Sequence, residues 1–462
     1  MPYYHSYSGT GPASRAPPPA PGLRPPEASG PSADLYARTV RRYRHPNFCL
    51  LSTIVSGVRG PVVERVVHAA PFWTLTAFDR LPPDPDVAFP AVLLLPPHAG
   101  HCPTLIRDTV AAFLPGHAVH VAAWTDARDV PLTAGAFGLA EAAEAVADMA
   151  ALIGGNVHLV AVAEAGVVGI AAAALLEARG APPATLTLIG GPVDCRADHA
   201  GLAAGAATLG LDWFVRTVIA PVPAPFAGAY REVFPGFFTL TGFLTSTLDR
   251  SLSDHKELFL RLVAGDGDGT EGHRAFFEEF LAVMDVPAEF MLQWIEAVLI
   301  DRPFALDADG EEPPLVATPL MTVEAGRDAF GGGGQTHAAH LLAADPAGGC
   351  RHTEPEAGRF ALFNGARWRA SVFPRVADFI ASHAAPPARR AATPAEDLLT
   401  LPGLTPALAA RLNREGVYFV RQIARLDGSA ADDLDRRLGT DAHPVVAALG
   451  REARRRLAAG RP

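Results

Sequence analysis

Cysteine is scarce in this chain: four in 462 residues, with Cys49, Cys102, Cys195 and Cys350 far apart and never in a Cys-x-x-Cys pair. That spacing excludes a disulfide framework and a cysteine zinc centre, and it suits a reducing compartment. A long apolar run is also missing. Val167 to Ala178 comes nearest, but it is alanine-rich and falls short of the roughly 18 residues that cross a bilayer, so it reads as a buried helix and no membrane span is expected. The opening residues Met-Pro-Tyr-Tyr-His-Ser lack the basic and apolar regions of a secretory signal, and a cytoplasmic protein is expected. Positive charge is in deficit, with 39 Lys and Arg against 49 Asp and Glu and a net charge of −10, which disfavours nucleic acid as the main partner. No Gly-x-Ser-x-Gly occurs. The glycines at 331–334 are not followed by the Lys-Ser/Thr of a phosphate loop. No internal repeat is visible, and no metal or cofactor is expected.

What is present is apolar surface, 49% of the residues, enough for one large core and a smaller one. Residues 1–34, rich in Pro, Gly and Ser, cannot offset the entropy of ordering and are expected to be disordered. A helix bearing Arg38, Arg41 and Arg42 is expected over about 35–56, then an early strand ending in the alternating segment before Arg80. Beyond it, short apolar strands alternate with helices. The strands are Val92 to Leu95, Val119 to Trp124, Val157 to Val162 and Ala184 to Ile189; the helices include Pro103 to Phe113 and Leu139 to Ile153. This alternation predicts an α/β fold, a doubly wound and mostly parallel sheet whose ligands sit at the carboxyl ends of the strands. Between about 200 and 310 the pattern turns aromatic and helical, with Trp213, Phe237, Phe238, Phe243, Phe280, Phe290 and Trp294, and reads as a helical cap. The sheet resumes at Leu320 to Val323, an amphipathic helix is expected from near Gln335, and a last core segment runs from Arg359 to Ile380. Residues 386–394 form a linker, and 395–462 an all-α tail. In that tail Pro402, Gly403 and Leu404 form a turn like that of a helix-hairpin-helix unit. Thr405 stands where the second glycine of such a turn would be, Pro406 has no N–H, and Asp432, Asp433 and Asp435 are interleaved with arginines. A protein partner for the tail is therefore favoured over DNA.

Several segments resemble the intracellular polyhydroxybutyrate depolymerases, α/β-hydrolases that act on a bacterial storage polyester. The resemblance is carried by Pro96 to Val110, Trp124 to Gly135, Gly190 to Asp194, Phe234 to Phe237, Ala282 to Phe290, Thr322 to Glu324, Gly334 to Thr336 and Phe363 to Trp368. It implies an α/β-hydrolase domain over 35–385 and a polyester granule or oligomer as partner, with the protein at the granule. It also implies a Cys–His–Asp triad, and here the chain departs from it. The nucleophile stands in a Val-Cys-Gln-Pro elbow, matched by Val162, Ala163, Glu164 and Ala165. The base stands in a Gly-His-Tyr-Gly segment, matched by Gly358, Arg359, Phe360 and Ala361. The acid position is matched by Asp328, with Ala329 in place of a second Asp.

Two of the three catalytic groups are thus absent. A methyl group at 163 cannot attack a carbonyl, and an arginine stays protonated and cannot serve as a base. His98 and Ala99 after the first buried strand, and Glu164 after the elbow, are the candidates for oxyanion-loop positions. Cys102, beside His101, is the alternative nucleophile, against the simpler reading of a buried filler. His158 reads as a core histidine, Ser246 and Ser251 have no evident partner, and Asp126, Arg128 and Asp129 read as a structural loop. If the fold is kept, Arg359 and Asp328 face each other and form a salt bridge. The leading expectation is a catalytically inactive depolymerase homologue that binds the granule or regulates its turnover. The alternatives are an esterase using Cys102 and a binding module acting through its tail.

Overall fold

The computed structural model describes residues 47–55, 58–81, 89–197, 202–222, 226–236, 238, 282–300, 316–328, 333–345, 349–384, 398, 401–415, 417, 420–440 and 444–459. The expectations for residues 1–34, for the helix around Arg38, Arg41 and Arg42, for Ser246 and Ser251, for Phe237, Phe243, Phe280 and Ala329, and for the 386–394 linker lie outside these.

Twelve strands appear among the described residues: β1 (Ser52–Val55), β2 (Val58–Ala69), β3 (Trp73–Arg80), β4 (Ala91–Leu95), β5 (Ala118–Trp124), β6 (Val157–Val162), β7 (Thr185–Ile189), β8 (Ala220–Pro221), β9 (Glu232–Phe234), β10 (Val286–Pro287), β11 (Leu320–Ala325) and β12 (Cys350–Glu354). Nine of them form one sheet in the order β1-β2-β3-β5-β4-β6-β7-β11-β12. The first three join antiparallel, and every pairing from β5 to β12 is parallel. Leaving out β1, this is the strand sequence 1-2-4-3-5-6-7-8 of an α/β-hydrolase. The sheet winds one way from β4 to β5 and the other way from β4 to β6, so the loops after β4 and β6 flank the crevice at the switch point.

The residues explain the layering. All six side chains of β6 are buried, as a strand covered on both faces requires. The helix α1 (Arg107–Phe113) follows β4. Then α2 (Leu139–Ile153) buries Leu139, Ala142, Ala143, Val146, Met149 and Ala150, a stripe at three- and four-residue spacing. Glu141 caps its start by accepting the Gly138 N–H at 2.8 Å, and Gly154 and Gly155, both at positive φ, stop it. The helix α3 (Ala165–Ala178) lies unusually close on the sheet: a Cβ at Gly169 would come within 3.1 Å of Ala161 Cβ and 3.3 Å of Leu186. That approach fixes where the turn before α3 can sit.

Three expectations need correction. Residues 52–55 are a strand, because a second antiparallel partner for β2 satisfies the edge that a helix would leave open. The region expected to be a helical cap holds α4 (Leu202–Leu209), α5 (Leu211–Thr217) and α6 (Ala288–Trp294), but also the small sheet β10-β9-β8. A buried carboxylate cluster anchors that sheet to the loop after β5. Asp126 Oδ1 accepts the N–H groups of Arg128 and Asp285 at 3.0 and 3.1 Å, and Asp285 accepts Arg128 Nε at 3.1 Å and the Gly236 N–H at 3.2 Å. Asp126 and Arg128 are therefore the structural loop the motif suggested. Finally, the segment after Gln335 is a 3₁₀ turn, His337–Leu342, rather than an amphipathic α-helix, since its start is pinned by a side chain described below.

The last helix of the sheet domain is α7 (Phe373–His383). The tail contains α8 (Pro406–Arg414), α9 (Val420–Ala424), α10 (Gly428–Arg437) and α11 (Val446–Ala459) around a core of its own that includes Leu401, Leu412, Ile423, Leu434 and Val446. Gly403 turns at φ 83°, and Leu404 N–H donates back to the Leu401 carbonyl at 3.2 Å. The starts of α8 and α11 are met by side chains. Thr405 Oγ1 accepts the Leu408 N–H at 3.2 Å, and buried Asp435 accepts from Val445 and Val446 at 3.0 and 3.2 Å. No helix among the described residues is long and apolar enough to cross a membrane.

Burial, with Asp285 close by, pushes Asp126 up to about 7 against the pull of Arg128. The folded protein then holds a proton that the unfolded chain, ordinary at 3.8, releases. This group's stabilisation is complete below the unfolded value and is lost as pH rises through the folded one. Asp126→Asn is expected to flatten the pH dependence of urea unfolding between those two values, measured against wild type.

Candidate active site

β6 ends at Val162, and the next residue, Ala163, sits at φ 52° in the left-handed region. For a residue with a Cβ that conformation costs roughly 1–2 kcal/mol. It is held by two backbone bonds, Ala163 N–H to the Ile189 carbonyl and Gly166 N–H to the Ala163 carbonyl, both 2.9 Å. Gly191 makes room for the turn, since a Cβ there would overlap the Ala163 carbonyl oxygen. The result is the strand–turn–helix geometry of a nucleophile elbow, with a methyl group where a nucleophile would be presented.

Asp328 lies on the loop after β11 and Arg359 begins the 3₁₀ turn Arg359–Leu362 after β12. With Ala163 they follow the chain order in which α/β-hydrolases carry nucleophile, acid and base. Arg359 is 7% exposed. Its Nε donates to Asp328 Oδ2 at 2.9 Å, and its Nη1 lies 3.5 Å from Glu164 Oε1. One guanidinium is thus set between a buried carboxylate, Glu164, and a half-buried one, Asp328, from two other loops. Burial pushes the Glu164 carboxyl up, while Arg359 pulls it down and Asp328 adds a smaller upward push. The open space beside this cluster is a small cleft lined by Gly190, Pro192, Glu324, Asp328, Gln335 and Arg359 among others, with room for roughly one ordered water.

Glu324, at the end of β11, had been read only as part of a motif. Its Oε1 accepts the N–H groups of Thr336 and His337 at 2.7 and 2.8 Å, and its Oε2 accepts that of Gly334 at 2.9 Å. The carboxylate therefore ties residues 334–337 to the end of β11, which explains why Thr322 to Glu324 and Gly334 to Thr336 appear as paired segments. Cys195 was also missed. Its Sγ donates to Gln335 Oε1 at 3.5 Å, and burial, with Asp194 adjacent, pushes the thiol up to about 12, Arg359 opposing. Such a thiol stays protonated and is a poor nucleophile.

The remaining candidates sit elsewhere in the packing. His98, after β4, stacks on Trp124 with centroids 4.1 Å apart and lies 3.9 Å from Phe290. Burial lowers it to about 3. Neighbouring Ala99 is buried in the same core. His101 bridges to Val283 in backbone pairing and is lowered by burial to about 4. Cys102 is 2% exposed, belongs to the hydrophobic core and precedes the 3₁₀ turn Pro103–Ile106. His158 meets Thr185 Oγ1 at 2.9 Å inside the sheet. Among the described residues no group of three or more His, Cys, Asp or Glu side chains could hold a metal ion.

Residues 190–384 match the family described as PHB de-polymerase C-terminus. Over these residues the chain is similar to that family. The segment contains Asp328 and Arg359, whereas the elbow at Ala163 precedes it. No curated protein matches the chain. Among solved structures, a thermophilic esterase from Thermogutta terrifontis is similar at 14% identity and a TM-score of 0.39, covering 70% of this chain and 98% of its own. The type II thioesterase BorB of the borrelidin biosynthetic cluster is similar at 13% identity and a TM-score of 0.36, covering 68% and 98%. The depolymerase-family segment therefore contributes the last two strands of the sheet and the two loops that meet at the Arg359 cluster.

Removing the cation leaves two carboxylates facing each other. Arg359→Met is expected to destabilise the hydrolase domain by about 3–5 kcal/mol, the usual cost of stranding a buried charge. The comparison is made by urea unfolding followed by tryptophan fluorescence, with the exposed-pair variant Arg65→Met expected to change stability by well under about 1 kcal/mol.

Proposed function

We propose that this chain is a PHB depolymerase-like protein that has given up ester hydrolysis and acts by binding the polyester granule, or by regulating its turnover, in the cytoplasm. The observation that carries the reading is Arg359 locked between Asp328 and Glu164, opposite an elbow whose presented residue is Ala163. Neither residue can perform the step its position would demand. An acyl transfer needs a nucleophile at the elbow and a base that can take its proton, and an alanine and an ion-paired arginine provide neither. Losing the nucleophile or the base alone costs about 10⁶ in kcat in a serine protease.

The reading in which Cys102 replaces the lost nucleophile has less support, because that thiol is packed in the core and its histidine neighbours are held neutral by burial. The tail serves best as a surface for a protein partner. Its hairpin-turn N–H groups are met by Thr405 and Asp435, which leaves few donors there for a phosphate.

The purified full chain, incubated with amorphous polyhydroxybutyrate granules, is expected to sediment with them. It is also expected to release no 3-hydroxybutyrate and to leave p-nitrophenyl butyrate intact. Turnover of either substrate that disappears in Cys102→Ala would overturn the proposal, and so would failure to sediment with granules.

A further inference from the structure

Asn364 is followed by Gly365, and this is the dipeptide in which a backbone nitrogen attacks a side chain most readily, because glycine leaves that nitrogen unhindered. The glycine suits the fold here, since Gly365 turns at φ 77° in the left-handed region. In such a pair the Gly365 nitrogen loses its proton and bonds to Asn364 Cγ, the Cγ–Nδ2 bond breaks, and the side-chain nitrogen leaves as ammonia. Water then opens the resulting succinimide to aspartate or isoaspartate. Water is the co-reactant, and nothing is oxidised or reduced.

Both reacting groups are held by the segment around the start of α1. Gly365 N–H donates to Asp108 Oδ2 at 2.6 Å, and Asn364 Nδ2 donates to the Leu105 carbonyl at 2.9 Å. Asn364 is extended, at φ −136° and ψ 154°, and its backbone must rotate before the Gly365 nitrogen can lie over Cγ. Three further bonds join the same segments: Thr109 Oγ1 to the Phe363 carbonyl at 2.7 Å, Trp368 Nε1 to the Asp108 carbonyl at 3.2 Å, and Arg369 Nη1 to Asp108 Oδ2 at 2.9 Å. Asn364 and Gly365 are only half-buried, so water reaches them once these bonds open.

We propose that Asn364–Gly365 is a latent self-modification site, which deamidates when the contact between residues 105–109 and 363–369 opens and which Asp108 keeps closed. The change then works against reclosing. A carboxylate at 364 has no hydrogen to give the Leu105 carbonyl and places a second negative charge near Asp108. Isoaspartate also lengthens the backbone just beyond the turn that carries Arg359, so a modified molecule loses part of the tether on that turn.

Full-length wild type and Asp108→Ala are incubated side by side at mildly alkaline pH, and the peptide containing residue 364 is followed by mass spectrometry with separation of the isoaspartyl form. Asp108→Ala is expected to deamidate at Asn364 about tenfold or more faster than folded wild type, the effect on a local opening of losing one hydrogen bond to a charged acceptor. Wild type unfolded in guanidinium chloride is expected to be faster still. Equal rates in the two folded proteins, or folded wild type reacting as fast as the unfolded chain, would overturn the proposal. If Asp108→Ala does not fold, hydrogen exchange of the Gly365 amide in wild type decides: protection supports the closed site, and exchange at the unfolded-chain rate overturns it. None of these readouts involves ester turnover or granule binding.

Discussion

Three loops leave the carboxyl edge of the sheet and meet at one guanidinium. Arg359 comes from the loop after β12, Asp328 from the loop after β11 and Glu164 from the turn after β6, and without the cation the buried Glu164 carboxyl would lose the opposite charge that faces it. The arrangement works as a keystone because the partners arrive from different strands of one rigid sheet. None can move off without exposing or orphaning another. One step away, Glu324 gathers the backbone N–H groups of Gly334, Thr336 and His337 at the end of β11.

The same layout accounts for the small cleft. In a working hydrolase the three corresponding positions are spaced so that a proton can pass between a nucleophile and a base, with an acid behind. Here Arg359 reaches both Asp328 and Glu164, the residue after Ala163, and the cleft beside them has room for roughly one ordered water. The polyester-family segment, residues 190–384, supplies the two loops that close in this way. The cap sheet is fastened independently, through Asp126, Arg128 and Asp285.

Much of this was legible in the sequence where periodicity was strong. The parallel core and the helix over Leu139 to Ile153 could be read because their apolar patterns have one interpretation. The strand β2 and the edge strand β12 could not, since β2 exposes most of its side chains and β12 reads Cys-Arg-His-Thr-Glu, a polar run that becomes a strand only because β11 offers it a partner. At the site, the facing of Asp328 and Arg359 followed from the order of loops along an α/β-hydrolase. The participation of Glu164 did not, because it depends on how far the Arg359 side chain reaches across from another loop. Glu324 and Cys195 were likewise invisible as site residues, their roles being set by hydrogen bonds across more than ten residues of chain.

The left-handed backbone at Ala163 has a consequence for the reversibility of such a site. The turn still holds its residue in the outward-presenting conformation, with Gly191 cleared beneath it and Gly169 seating the helix behind. The backbone labour of building an elbow is therefore complete and does not depend on which side chain stands there. A change of side chain at 163 or 359 therefore calls for no rearrangement of strands or loops, so the framework and the groups it presents can vary independently.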